Sequence, residues 1–295
     1  MKLLYRISPF DLTGDCIVPP ASDNIHISCV INFFGRLNLL QGILWSLTEQ
    51  NYPLDQFEVL LVEDCKGTDS GQELALEFSQ RLNIRYLPLD SNFGRMGYSR
   101  NFGLARSRGK IVLFLDDDTV IQQNNFLELL EEIFTQHLET DAVVPHGQAS
   151  FSLINGKYNY HDPYFMTSRC TVYRRTVLAK LGGFMNHFVG QEDVEFVVRF
   201  LLAGKCARNS PELHYFHPPL LVPNFSKPMA VANSFYNLKR RYPLLIWLLL
   251  LLNCSRHAAL YLLPSRRCRE MGRFGIGFIS GLFVSLFKKE GFQYN

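Results

Sequence analysis

The chain is short of several features that would classify it at once. Its seven cysteines, at 16, 29, 65, 170, 206, 254 and 268, are scattered and odd in number, and none forms a C-x-x-C pair. That argues against a disulfide framework and a structural zinc site, and it fits a reducing compartment. The N-terminus, Met1-Lys2-Leu3-Leu4-Tyr5-Arg6, meets charge at once and lacks the apolar core of a secretory signal. No internal repeat or low-complexity linker breaks the 295 residues, a length that fits one large or two small domains. Long apolar runs are missing too. Leu244 to Leu252 and Phe274 to Phe287 both fall short of the roughly twenty residues of a comfortable membrane span.

Net charge is only +3, but it is unevenly placed. Residues 1–226 carry 19 Lys/Arg against 25 Asp/Glu, net −6, and residues 227–295 carry 11 against 2, net +9. A basic, apolar tail on an acidic body points to an anionic partner. The basic residues Lys239-Arg240-Arg241, Arg266-Arg267, Arg269 and Lys288-Lys289 are embedded in aliphatic sequence, not interleaved with stacking aromatics. An anionic membrane surface is therefore expected as partner, and nucleic acid is not. A helical cap on the body, or an oligomer interface, is the plain structural competitor. The boundary is expected near residue 226.

What the body does contain is alternation. Ile25 to Ile31, Phe57 to Val62, Ile84 to Leu87 and Ile111 to Leu115 read as buried strands. Leu37 to Leu47, Gly71 to Leu82, Tyr98 to Arg106 and Asn125 to Gln136 read as helices between and after them. This is the pattern of an α/β fold with a mostly parallel sheet. Ala142 to Pro145 and Cys170 to Tyr173 read as further strands, with Arg174 to Leu181 a short helix.

Two acidic clusters carry the chemistry. Asp116-Asp117-Asp118 ends a buried strand, and so lies at the sheet edge where open α/β folds bind ligands. Carboxylates there suit a hard cation, Mn²⁺ or Mg²⁺, which in turn neutralises phosphate. Glu192-Asp193, behind Gly190-Gln191, supplies a second carboxylate that can serve as general base. The competing readings are a solvated turn for the first cluster and a charged first helical turn for the second, the latter fitting Glu195 well. Metal plus base suggests group transfer from a phosphorylated donor.

The ordered series of motifs resembles a family 2 glycosyltransferase of GT-A type. It runs through Gly35-Arg36, Ser46 to Pro53, Val62-Glu63-Asp64, Asn92-Phe93-Gly94, Ser99-Arg100-Asn101, Phe114 to Asp118, and Leu181-Gly182-Gly183-Phe184 followed by Gly190 to Asp193. Asn32 and Gly35 stand where that family has proline and asparagine, and the turn at Cys65-Lys66 is one residue longer. The resemblance implies a Rossmann-like, mostly parallel sheet flanked by helices, with a donor half over about 25–118 and an acceptor half over about 119–217. Residues 227–295 would form the basic, apolar helical extension. It implies inverting transfer of a sugar from a nucleotide-sugar to a lipid-linked or polysaccharide hydroxyl at the cytoplasmic face of a membrane. Asp193 is then the base and Glu192 lies on the acceptor side. Asp118 and His217, the latter preferred to His214, are the metal ligands, and Asp116, Arg100, Asp64 and Glu63 bind the donor. Two other readings compete. One is an inactive nucleotide-sugar-binding membrane scaffold. The other is a nucleotidyltransferase, for which Asn32 to Arg36 makes a poor Gly-rich basic loop.

Overall fold

The computed structural model describes residues 1–148, 151–154, 157–160, 166–218 and 224–287. A short N-terminal helix, α1 (Lys2–Ile7), leads to an alternating series: β1 (Ile27–Phe33), α2 (Leu37–Thr48), β2 (Phe57–Glu63), α3 (Asp69–Phe78), β3 (Ile84–Pro88), α4 (Met96–Arg106) and β4 (Ile111–Asp116). Then come β5 (Val120–Ile121), α5 (Phe126–Gln136), β6 (Ala142–Gly147), the hairpin β7 (Phe151–Ile154) and β8 (Lys157–Tyr160), β9 (Cys170–Arg174) and α6 (Arg175–Leu181). The rest is α7 (Glu192–Leu202), β10 (Ala207–Phe216), α8 (Ser226–Asn237), α9 (Leu244–Ser255) and α10 (Arg266–Phe287).

Eight strands form one sheet in the order β3-β2-β1-β4-β9-β6-β10-β5. Strands β3, β2, β1 and β4 run parallel, as do β6 and β10, while β9 is antiparallel to both β4 and β6. The expected α/β fold is therefore observed, as a mixed, mostly parallel sheet flanked by helices. Strand order reverses between β1 and β4, so their C-terminal ends open a crevice there.

The central strands β1, β2 and β4 are buried along almost their whole length and mostly apolar because both faces are covered, with Ser28 donating to Glu58 at 2.7 Å between β1 and β2. Cys29 and Ile31 of β1, Val59 and Leu61 of β2, and Leu113 and Leu115 of β4 join one core with α2, α3 and α5. Val30, Leu60, Val62, Val112 and Phe114 join the other core, with residues of α4, α6 and α7. Helix α4 lies close on this second face because Gly103 has no side chain. A Cβ there would run into Val30 and Val62. Helix α3 starts earlier than the periodicity indicates, since Thr68 Oγ1 accepts the Gly71 N–H at 3.0 Å and caps the first turn.

The tail builds a third cluster. Val231, Phe235, Tyr242, Ile246, Leu250 and Phe278 pack with Met185 and Phe188, and Leu4, Tyr5 and Phe10 of the N-terminal segment lie against them. Helix α10 beds closely on α8, for a Cβ at Gly281 would strike Met229 and Ala232. Asn233 also donates to Ser285 Oγ at 3.1 Å. One expectation is corrected here. The segments Leu244–Leu262 and Cys268–Phe287, of 19 and 20 residues, are long and apolar enough to cross a membrane by length and composition. The second is longer than its apolar run because the helix begins at Arg266, well before Phe274.

Candidate active site

The crevice between β1 and β4 collects the charged residues. Asp116 closes β4 and pairs in register with Asn32 of β1, so the Asp116-Asp117-Asp118 turn faces the Gly35-Arg36 turn across the strand ends. Strand β10 delivers His217 to the same edge. The ligand atoms of Asp116, Asp118 and His217 all lie within 4.8 Å of one another, the one such group among the described residues.

The chemistry of these donors is specific. His217 Nδ1 lies 2.6 Å from the Pro218 carbonyl, which can only accept, so Nδ1 carries a proton. Nε2 is then turned to Asp118 Oδ1, 3.1 Å away, and Asp116 Oδ2, 3.9 Å away. Asp118 Oδ1 is buried without a well-formed hydrogen bond. A ring nitrogen and a carboxylate oxygen facing each other at this distance need a positive charge between them, a proton or a metal ion. Two carboxylates and an imidazole suit Mn²⁺ or Mg²⁺. The donor set fits such an ion.

Arg100 ties the two acidic clusters together. It is 2% exposed, so it is no solvated helix charge. Its Nη2 donates to Asp116 Oδ1 at 2.6 Å and its Nε to Glu192 Oε1 at 2.7 Å. Burial is the largest influence on Asp116 and opposes its ionisation, but the charges of Arg100 and His217 and the Arg100 hydrogen bond together hold the carboxyl below its ordinary value. Burial raises Glu192 in spite of Arg100, and neighbouring Asp193 adds to the rise. Arg100 Nη1 is buried with no partner.

Helix α7 presents Glu192 and Asp193 in its first turn, preceded by Gln191 in a left-handed conformation (φ 57). Asp193 is half-buried, and it accepts the Ser168 N–H at 3.2 Å and the Val194 N–H at 2.8 Å, which fix its orientation. Glu195 lies in the charged first turn of α7, as expected, but does more than complement the helix dipole. It is fully buried, in an ion pair with Arg199 and a hydrogen bond from Tyr242. The reason is that α7 faces the sheet on one side and the tail on the other.

The β2 turn splits its two acids. Glu63 is buried, and it accepts the Thr68 N–H at 3.0 Å, the Thr68 hydroxyl at 2.8 Å and the Tyr86 hydroxyl. Its carboxylate holds the turn together internally. Asp64 accepts the Gly94 N–H at 2.9 Å, and burial raises it to about 6 against that bond. The structure thus gathers Asp116, Asp118, His217, Arg100, Glu192 and Asp193, and leaves Asp64 on the neighbouring strand end.

Sequence reasoning gave Asp117 no role and Arg36 only a place in a loop. Asp117 is buried and gripped by Arg36, whose Nε lies 3.1 Å from Oδ2 and whose Nη2 meets Oδ1, while Nη1 reaches Asp118 Oδ2 at 2.9 Å. The readable signal was position: Gly35-Arg36 ends β1 at the same edge where Asp116 ends β4.

Two carboxylates and an imidazole gathered on the C-terminal edge of such a sheet occupy the place where open α/β folds bind ligands. The profile described as Glycosyl transferase family 2 matches residues 28–188, more than half of the chain. The chain belongs to that family.

Relatives agree. Poly(ribitol-phosphate) β-N-acetylglucosaminyltransferase TarS of Staphylococcus aureus is 24% identical over 232 residues, which cover 73% of this chain and 39% of that protein. The chain thus spans about two-fifths of that relative. Glycosyltransferase AglE of Haloferax volcanii is 26% identical over 208 residues, 65% of this chain and 66% of that one. Among solved structures, S. aureus TarS 1–349 in complex with UDP-GlcNAc superposes with a TM-score of 0.60 at 18% identity, covering 88% of this chain and 73% of that chain. Mannosyltransferase PcManGT from Pyrobaculum calidifontis, in complex with GDP-Man and Mn²⁺, gives 0.60 at 15% identity, covering 98% and 93%. At these identities the structural likeness is one of fold.

Proposed function

We propose that this glycosyltransferase is inverting and metal-dependent, moving a sugar from a nucleoside-diphosphate donor to a hydroxyl of a lipid-linked or polysaccharide acceptor. The observation that carries the reading is the convergence of Asp116, Asp118 and His217 within 4.8 Å, joined through Arg100 to the first turn of α7. Asp118 and His217, with Asp116 beside them, would hold Mn²⁺ or Mg²⁺. When bound, the cation offsets the charge that develops on the departing nucleoside diphosphate. Asp193, oriented by two backbone N–H groups, takes the proton of the attacking hydroxyl. Glu192 serves the acceptor side by fixing Arg100 beneath that turn. Asp116 and Arg100, whose Nη1 is still unpaired, face the donor, with Asp64 at its base end. Glu63 shapes the turn that presents Asp64.

The tail supports action at the cytoplasmic face of a membrane. Helix α9 buries Ile246 and Leu250 against the body and exposes Leu245, Leu248 and Leu252 on its opposite side. Helix α10 exposes Ile279, Phe283 and Leu286, and the exposed Lys239, Arg240, Arg266 and Arg269 lie along the same region of sequence. Apolar area flanked by basic charge is the composition of an interfacial surface. Because α8 and α10 pack on each other and α8 packs on the body, lying on the membrane fits better than crossing it.

The test is nucleoside-diphosphate release from a panel of nucleotide-sugars, with Mn²⁺ or Mg²⁺ and with excess chelator. Release is expected with one donor class, lost on chelation and strongly reduced in Asp118→Ala. Full release in chelator would overturn the metal assignment. No release from any donor, despite binding, would leave the inactive-scaffold reading standing.

A further inference from the structure

Asp118 is shared between two kinds of partner. Oxygen Oδ1 faces His217 Nε2 at 3.1 Å, which also lies 3.9 Å from Asp116 Oδ2, and oxygen Oδ2 accepts from Arg36 Nη1 at 2.9 Å. Arg36 itself is 53% exposed at its side chain, and it stands in a left-handed turn with Gly35 (φ 47 and 60). Few side chains adopt that conformation without a reason, and those that do cluster at binding sites. Two of its nitrogens are occupied by buried Asp117, which fixes the guanidinium plane while leaving the solvent side of the group open.

We infer that Arg36 couples the cation to the donor's diphosphate, opposing the bare metal ion and binding the phosphates once the metal is present. The inference rests on the metal-dependent reading above. Its physical basis is charge. A guanidinium on one oxygen of Asp118 and a divalent cation on the other repel across a single carboxylate, so each weakens the other's hold. A diphosphate that bridges both reverses the sign, because its oxygens accept from the planar N–H fork and ligate the cation together. The two ligands then bind cooperatively, and the coupling belongs to Arg36. A guanidinium that merely anchored the loop to Asp117 would produce no such reversal.

Opposite signs make the test decisive. Mn²⁺ alone is titrated by the loss of its free-ion EPR signal. UDP and GDP, as diphosphate probes that differ in base, are titrated calorimetrically at saturating Mn²⁺. In Arg36→Met, Mn²⁺ alone is expected to bind on the order of ten-fold more tightly and the better of the two nucleotides on the order of ten-fold more weakly. Arg36→Gln, which also lacks the charge, is expected to match it. Arg36→Lys is expected to keep the Mn²⁺ affinity near wild type while losing part of the nucleotide affinity, since a point charge cannot fork. Equal Mn²⁺ affinity in wild type and both neutral variants overturns the coupling alone. Absence of Mn²⁺ binding in wild type and in both neutral variants, with and without nucleotide, overturns the metal reading and the coupling with it.

Discussion

Replacing Glu195 with glutamine is expected to cost the protein about 3–5 kcal/mol, the range for breaking a buried ion pair by removing one charge. The structure supports the upper part of that range. Both side chains are 0% exposed. Arg199 sets Nε 2.7 Å from one Glu195 oxygen and Nη2 2.9 Å from the other, a two-pronged contact, and the Tyr242 hydroxyl adds a third bond. The rest of the guanidinium donates to the carbonyls of Leu12 at 3.2 Å, Leu181 at 2.7 Å and Gly183 at 2.8 Å. Glutamine keeps one acceptor but turns an NH₂ toward the guanidinium, donor against donor, and leaves a cation uncompensated in the core. Equilibrium urea unfolding at neutral pH, with thermal melting as a second readout, measures the loss. The double variant Glu195→Leu/Arg199→Met is expected to recover a substantial part of it, because both charges leave together. A Glu195→Gln protein within about 1 kcal/mol of wild type would show that water reaches the pair and would refute the reasoning.

Asp193→Asn keeps the shape of the side chain but cannot take the hydroxyl proton, so turnover should drop by about 10²–10⁴-fold while nucleotide binding survives; wild-type turnover would move the base elsewhere. Asp64 holds its proton more tightly folded, to about 6, than its ordinary value of 3.8, so its contribution to stability falls as pH rises through that window and stays low above it. Asp64→Asn should therefore melt higher than wild type above pH 6, by on the order of 1 kcal/mol after screening, with the gap closing near pH 4; a gap independent of pH would be the contrary result. The full chain should sediment with anionic vesicles, less with neutral ones, and detach in part at high salt, since the attraction acts over a Debye length of about 8 Å. Resistance to salt and to alkaline extraction would show that Leu244–Leu262 or Cys268–Phe287 crosses the bilayer.

Much of the fold could be read from the chain because both sheet faces are buried. β1, β2 and β4 are mostly apolar, with Ser28, Asn32 and Glu58 the polar residues inside β1 and β2, and carboxylates at the end of β4 had only one edge to occupy. Strand β9 shows the limit. The run Cys170 to Tyr173 has the same pattern whichever way it points, so nothing local marks it as the antiparallel insertion between β4 and β6. The site behaves alike. Individual acids were visible, but the pairs Arg36–Asp117 and Arg100–Glu192 join residues 81 and 92 positions apart. Such pairing follows from strand order, which no window along the chain contains. The burial of Glu195 was hidden for the same reason, its partner Tyr242 lying in the tail.

That Tyr242 contact also bears on the order in which the enzyme is assembled. Helix α7 receives one bond from a residue 47 positions downstream, and its Arg199 donates to a carbonyl 187 positions upstream. While the ribosome is still producing the tail, the helix that carries Asp193 has its buried charges only half enclosed. Enclosure of the Glu195–Arg199 pair therefore waits for the segment that carries Tyr242, and should the tail settle on lipid as proposed, that helix would be completed at the same surface.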